Sequence, residues 1–262
     1  MLAPLAAWRD RLRGALPAKR VEHVGPKLLA ALAEAYESVT FVEIGAHDGA
    51  HNDPLREFIL SRPWTGVMVE PVPDLFERLR RNYEALERVA VENVAISDVE
   101  GRRPLYHLEP VDDPEREGLL FIYDQIGSLS RDTVLAHRHL IPDLERRLVR
   151  TEVTCITFES LCRKHGLGDL DVLAIDAEGH DWTILQGVDF EAHRPRLVLY
   201  EHAHLSAADR RDCLAHLERQ GYETREEGFD TWCLHPRAGE RLHRMWRRLR
   251  WRVPGTSVHD RA

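Results

Sequence analysis

The sequence predicts an α/β protein built on a doubly wound, mostly parallel sheet with an antiparallel closing strand, preceded by helices and carrying an insertion after its third strand. Three observations lead there. Short apolar runs at residues 41–44, 66–70, 171–176 and 196–201 alternate with helical patterns, as repeated βαβ units do. The stretch Phe-Val-Glu-Ile-Gly-Ala-His-Asp-Gly-Ala-His at residues 41–51 runs a strand straight into a glycine turn. Several strands finish on a carboxylate, Glu70, Asp176 and Glu201 among them, at the sheet edge where such folds bind ligands.

The 262 residues, 43% hydrophobic and 31% charged, suffice for one large α/β domain or two small ones. A net charge of -8 gives no electrostatic reason to expect nucleic acid as a partner. Cys155, Cys162, Cys213 and Cys233 form no C-x-x-C pair, so neither a zinc knuckle nor a disulfide framework is expected, and a reducing cytoplasm fits. Near the N-terminus Arg9, Asp10, Arg11 and Arg13 interrupt Leu2, Leu5 and Trp8 before a signal-peptide core can form. No later run is long enough to span a bilayer, so stable membrane insertion is not expected.

Residues 1–36 read as a helical extension broken near Pro17, with Leu28, Leu29, Leu32 and Ala35 forming a stripe. Residues 37–238 form the main domain. After the glycine turn, Asn52-Asp53-Pro54 starts a helix over 54–60, strand 66–70 follows, and Pro73-Asp74 opens a helix to about residue 86 with Leu75, Leu79 and Leu86 on one side. Strand 89–96 ends at Ser97-Asp98. The alternation lapses over an insertion at about 101–150, which holds a strand at 105–108, the acidic stretch 109–117, residues 119–123, Gly127-Ser128-Leu129-Ser130, His137, His139 and Pro142. Such irregular segments either form functional lids or are plain surface excursions. The alternation resumes with strand 152–156, helix 158–165, strand 171–176, a helix from about Asp181 and strand 196–201. A helix over 207–220 capped by Ser206 comes next, and residues 221–225 and 231–235 pair antiparallel. In the final segment, 239–262, Leu242, Met245, Trp246 and Leu249 keep helical spacing among many arginines. This basic amphipathic helix is expected to cover its own core or form a subunit interface, as in a homodimer, ahead of lying on an anionic membrane.

The glycine turn reads as a nucleotide cradle. Gly45 and Gly49 permit backbone angles and close approaches that a Cβ forbids, and a helix N-terminus offers free amides beside them. Glu70, at the end of the second strand, can accept both ribose hydroxyls of a nucleoside. A dinucleotide fingerprint needs G-x-G-x-x-G, whereas this turn is G-x-x-x-G with Glu43 two residues earlier. That spacing favours S-adenosylmethionine over NAD, because an acid before the turn can hold the cofactor's ammonium group. The plain alternative makes Glu43 and Glu70 ordinary strand-end charges. Ser97 and Asp98 are adenine-site candidates or, equally, turn formers. At the next strand ends stand Asp176, Glu178, His180 and Asp181, then Glu201, His202 and His204. Acids and imidazoles on one edge can bind a hard cation such as Mg²⁺ or act as a general base. Singly, each of them could instead be a helix cap or part of a solvated rim.

The segment Ile175-Asp176-Ala177-Glu178-Gly179-His180-Asp181-Trp182, with Val153-Thr154-Cys155-Ile156-Thr157 before it and Leu185-Gln186-Gly187 after it, closely resembles the FkbM family of S-adenosylmethionine-dependent methyltransferases. Residues 41–49 resemble that family's cofactor turn, Glu70-Pro71 its ribose-side strand end and residues 93–97 its adenine-side strand, so the likeness covers roughly residues 39–202. The resemblance implies a class I methyltransferase Rossmann-like fold and methylation of a hydroxyl, most plausibly of a sugar in a methylated polysaccharide, glycolipid or glycosylated metabolite. The acceptor is then a small molecule or oligosaccharide. Glu201-His202 departs from many family members and resembles metal-dependent O-methyltransferases, which implies Mg²⁺ held by Asp176, Glu201 and His202. The expected cofactor contacts are Glu43, Gly45, Gly49, Glu70, Ser97, Asp98 and Asp176. His180 is the first choice of base, since a neutral imidazole is available near pH 7, and Glu178 the second. Two rivals are a non-catalytic nucleoside-binding protein of this fold and an NAD-dependent oxidoreductase.

Overall fold

A computed structural model describes residues 24–111, 119 and 123–249 of the chain. The strands, in chain order, are β1 (Thr40–Ile44), β2 (Thr65–Val69), β3 (Val89–Glu92), β4 (Ala95–Ile96), β5 (Gly101–Leu108), β6 (Gly127–Ser128), β7 (Leu148–Ile156), β8 (Val172–Ile175), β9 (Leu197–Glu201), β10 (Glu223–Glu227) and β11 (Asp230–Leu234). Seven of them form one sheet in the order β3-β2-β1-β8-β9-β11-β10. The pairs β1–β2, β2–β3, β1–β8 and β8–β9 are parallel, while β11 runs antiparallel between β9 and β10. From β1 the chain winds out to β3 and then returns to the other side of β1 at β8. The strand order therefore reverses between β1 and β8, the place where ligands bind in such sheets.

Both faces of this sheet are covered, which explains why its parallel strands read as continuous apolar runs. On one face Phe41, Met68, Ala174 and Leu199 pack with Trp64 and with the helices Val24–Ala35 and Gly239–Arg248. On the other, Val42, Val67, Leu173, Val198 and Tyr200 pack with the helices Phe158–His165, Asp181–Gln186 and Ala207–Arg219. The expected cap is present, Ser206 Oγ accepting from Asp209 N at 3.1 Å, and Thr157 Oγ1 caps its helix in the same way, accepting from Ser160 N at 3.1 Å. The C-terminal helix buries Leu242 and Trp246 in the core beside the first helix, so its apolar stripe serves the protein's own interior. The four cysteines are buried and unbridged. Among the described residues, no helix is long and apolar enough to cross a membrane. The helical reading of residues 1–23, the acidic stretch 112–117 and the arginines beyond Leu249 lie outside the described residues.

Two expectations need correction. The run at 89–96 is not one strand: it breaks at Asn93, whose amide donates to the carbonyls of Glu70 (2.8 Å) and Pro71 (3.1 Å), and β4 leaves for a second sheet. That sheet has the order β4-β7-β5-β6 and is built mostly from the insertion. Residues 152–156, expected to resume the parallel alternation, instead belong to β7, which pairs antiparallel with β5 from Gly101↔Cys155 to Leu108↔Leu148. The insertion thus forms a small antiparallel layer over the carboxyl edge of the main sheet, with its own core around Tyr123, Val134 and Ile141.

Candidate functional site

A cleft of about 1100 Å³ opens over the carboxyl ends of β1, β2, β8 and β9 and reaches the β10–β11 hairpin, with Glu43, Glu70, Asp176, Glu178, His180 and Glu201 in its wall. Gly45 lies where β1 and β8 touch. Its φ is +80°, and a Cβ there would fall 1.7 Å from the carbonyl oxygen of Asp176, so only glycine lets the two strand ends meet. Gly45 N and Ala46 N both donate to Val69 O, at 2.9 and 3.0 Å, which folds the turn back over β2. Gly49, at φ +64°, brings the turn within 2.5 Å of Leu79 and Tyr83 measured from the Cβ it lacks.

Glu70 is buried at the end of β2 and clamps this turn: Oε2 accepts from His47 N at 2.9 Å and Oε1 from Val72 N at 2.8 Å. Burial raises its pKa to about 7, against the pull of those two amides and of the His47 charge. His47 is held at φ +53° between Asp48 (3.3 Å) and Asp124 (3.5 Å). Burial works against its charge, but the two carboxylates, with Glu70 behind, prevail and lift it to about 10. Glu43 is buried, and its Oε2 has no hydrogen-bond partner. Desolvation first, and the neighbouring Asp53 and Asp176 charges next, raise its carboxyl well above the usual range.

The amides expected to be free at the start of the helix after the glycine turn are taken. Asp53 Oδ1 accepts from Leu55 N (2.7 Å) and Arg56 N (3.0 Å), and the helix itself is short, Arg56–Ser61. An anion already occupies the position where a phosphate would sit, and Glu43 stands beside it. This end of the cleft is therefore hostile to a pyrophosphate and suited to a cation.

Ser97 and Asp98 do not line the cleft. Because β4 turns into the second sheet, Asp98 faces solvent, where the Ser97 hydroxyl holds its carboxyl below the usual range. Ser97 is buried behind His180, and the cleft wall at this point is the apolar run Val94, Ala95 and Ile96. Ser97 Oγ donates to Asp98 Oδ1 at 3.0 Å and accepts from Arg103 Nη1 at 3.1 Å. His180 Nε2, 3.1 Å from the same oxygen, is assigned as a donor to it. With Nε2 as the donor, the lone pair of the ring sits on Nδ1, and burial, which lowers the pKa of His180, keeps the ring neutral.

The acids after β8 and β9 converge. Asp176, Glu178 and Glu201 each bring a carboxylate oxygen within 4.8 Å of the others. Asp176 is open to the water of the cleft yet surrounded by protein, and desolvation raises it to about 6. Burial and mutual repulsion push Glu178 and Glu201 well above the carboxylate range, and His204 Nε2 lies 3.0 Å from Glu178 Oε2 and 3.7 Å from Glu201 Oε2. Asp181 is fully buried and accepts from Glu201 N at 3.2 Å. His202, expected as a metal ligand, is not in this group. Adjacent strand residues point to opposite faces, and its Nδ1 lies 2.8 Å from Thr231 Oγ1, in a buried site beside Arg210 and Glu226 that lowers it to about 4. Sequence reasoning placed Asp53 only at a helix start, not in the cleft wall, and missed Asp124 and Asp230. The last lines the cleft near Asp176, and burial raises it to about 7.

Residues 43–224 match the family model described as the methyltransferase FkbM domain. This chain belongs to the FkbM methyltransferase family. As an FkbM methyltransferase it has the class I fold of S-adenosylmethionine-dependent enzymes, and its strand order carries that assignment. No curated protein matches the chain. Among solved structures, the FkbM methyltransferase from Methylobacillus flagellatus is 14% identical, with a TM-score of 0.47 over 76% of this chain and 44% of that one. The FkbM chain described here thus spans less than half the length of that protein. A methyltransferase from Geobacter sulfurreducens is 15% identical over 88% of this chain and 96% of its own, with a TM-score of 0.40. An S-adenosylmethionine-dependent O-methyltransferase from Thermotoga maritima is 9% identical over 86% and 70%, with a TM-score of 0.41.

Proposed function

We propose that this FkbM methyltransferase methylates a hydroxyl group of a sugar, and that its acidic cleft holds S-adenosylmethionine at one end and the acceptor at the other. The observation that carries the reading is the set Asp176, Glu178 and Glu201, with ligand oxygens within 4.8 Å of one another beside the glycine turn. The cofactor fits the donor set present. The orphaned Oε2 of Glu43 suits an ammonium group, the close approach at Gly45 leaves bare backbone for the ligand, and each oxygen of Glu70 keeps a lone pair for a ribose hydroxyl. The apolar wall at Val94, Ala95 and Ile96 suits an adenine. Bound there, S-adenosylmethionine supplies an electrophilic methyl on a positively charged sulfur.

The protein's part is to place the acceptor oxygen in line and accept its proton. Asp176 is the carboxylate open to the cleft, and its pKa of about 6 leaves it ionised yet basic at neutral pH. We assign it the proton, with Glu178 and Glu201 behind it to orient the hydroxyl. A Mg²⁺ ion, if one takes part, fits Asp176, Glu178 and Glu201 rather than His202, and would polarise the hydroxyl as a Lewis acid. The test is a pair of variants, Asp176→Asn and Glu178→Gln, assayed with glycan acceptors and with and without EDTA. The reading expects at least a 100-fold loss of kcat in Asp176→Asn with S-adenosylhomocysteine affinity within threefold. Near-normal turnover in that variant would remove Asp176 from the chemistry, and full turnover in EDTA would remove the metal.

A further inference from the structure

We propose that His137, Glu178 and His204 form a binding site for a borderline divalent transition metal such as Zn²⁺, which ties the insertion to the methyltransferase sheet. The three residues come from three separate elements. His137 closes the insertion helix Arg131–Ala136, Glu178 stands in the turn after β8 and His204 in the loop after β9. One ligand atom from each lies within 4.8 Å of the others, so nothing has to travel far to meet one ion.

Local geometry supports each ligand. His137 Nδ1 is 3.1 Å from the carbonyl of Thr133. As a donor to that carbonyl, it leaves the lone pair on Nε2, the arrangement in which an outer partner orients a metal-binding imidazole. The His137 and His204 rings, 5.0 Å apart and inclined at 54°, converge without stacking. Glu178 adopts φ +48°, a left-handed conformation uncommon outside glycine, and its carbonyl is held there by Ser128 Oγ of the insertion at 2.8 Å. Oε2 of Glu178 is buried and pairs with His204 Nε2 at 3.0 Å, which sets these two ligand atoms beside each other. Two ligands of a tetrahedral zinc, bonded at about 2.0 Å, stand roughly 3.3 Å apart. The site is well shielded: His137 is 6% exposed, and the side chains of His204 and Glu178 are 6% and 15% exposed.

Donor chemistry separates this site from the neighbouring carboxylate group. Two imidazoles and one carboxylate with a fourth position for water suit zinc, cobalt or nickel, whereas three carboxylates suit magnesium. Glu178 is common to both groups, so the histidines decide between them. An ion here would fix the insertion helix over the acceptor end of the cleft. The inference does not depend on which atom the enzyme methylates.

The experiment titrates Co²⁺ into the metal-free 262-residue chain and follows the visible bands of four-coordinate cobalt, with Zn²⁺ and Mg²⁺ as competitors. One Co²⁺ per chain is expected, displaced by Zn²⁺ and not by Mg²⁺. His137→Gln and His204→Gln should each weaken Zn²⁺ binding at least tenfold, with far-UV circular dichroism unchanged, while Asp176→Asn stays within threefold of the parent. Absence of cobalt bands, equal competition by Mg²⁺, or parent-like affinity in both histidine variants would overturn the site. Loss confined to Asp176→Asn would overturn it as well and assign the ion to the carboxylate group.

Discussion

Replacing Glu70 with glutamine separates the two tasks that the structure gives this side chain. In the protein its oxygens accept from His47 N at 2.9 Å and Val72 N at 2.8 Å, and the same carboxylate is assigned to the ribose of the cofactor. Glutamine keeps the size but presents an NH₂ to one of those amides and removes the charge. Hydrogen bonds to a charged group contribute about 1.5–3 kcal/mol, so S-adenosylhomocysteine should bind roughly 10- to 150-fold more weakly. Since burial holds Glu70 at about 7, the parent protein should gain affinity between pH 6 and 8 as the carboxylate ionises. The variant should be flat over that range. Isothermal calorimetry at three pH values measures both effects, and thermal denaturation shows how far the turn itself has loosened. Unchanged affinity together with an unchanged pH profile would refute the ribose assignment.

Other consequences follow from packing and charge. Trp246→Ala removes a side chain that is 1% exposed between the first and last helices, and should destabilise the fold by about 3–5 kcal/mol in chemical denaturation; a loss below about 1 kcal/mol would mean the C-terminal helix is not part of the core. Gly45→Ala, whose Cβ would lie 1.7 Å from Asp176 O, should abolish cofactor binding, and wild-type affinity in a folded variant would refute the close approach of β1 and β8. His47 has its folded pKa raised to about 10, so its stabilisation is complete below the unfolded value near 6.5 and is lost as pH rises toward 10. The melting temperature should therefore fall between pH 7 and 10, and His47→Gln should flatten that fall; an equal slope in the variant would show that the Asp48 and Asp124 contacts carry no charge.

The parts of the fold legible in the sequence were those with a local signal. β1, β2, β8 and β9 are continuous apolar runs because both faces of the sheet are covered, and the glycine turn and strand-end acids of the site lie directly beside them. The break before β4 was legible in principle, since Asn93 interrupts an apolar run. So was the identity of β7, where Val153 and Cys155 are buried and alternate with polar neighbours, the pattern of a half-exposed antiparallel strand. His202 was misassigned against the same period-two rule, because it could not share a face with Glu201. The remaining groups carry no local signal. His137 meets His204 across 67 residues of chain, and Asp124 meets His47 across 77, only because the insertion folds back over the sheet edge. Asn52-Asp53-Pro54 marked a helix start, but that Asp53 itself takes the amides of Leu55 and Arg56 depends on a turn conformation, with Asn52 at φ +59°, that residue types alone do not specify.

Methyl transfer from S-adenosylmethionine to an oxygen is the step to which the cleft residues are assigned. The most direct measurement incubates the full chain with ¹³C-methyl-labelled S-adenosylmethionine and a set of glycans, then identifies by NMR and mass spectrometry the atom that carries the label. One new O–CH₃ group per S-adenosylhomocysteine formed is expected, absent in Asp176→Asn. Label on nitrogen, carbon or a carboxylate, or label on oxygen at the same rate in Asp176→Asn, would contradict it.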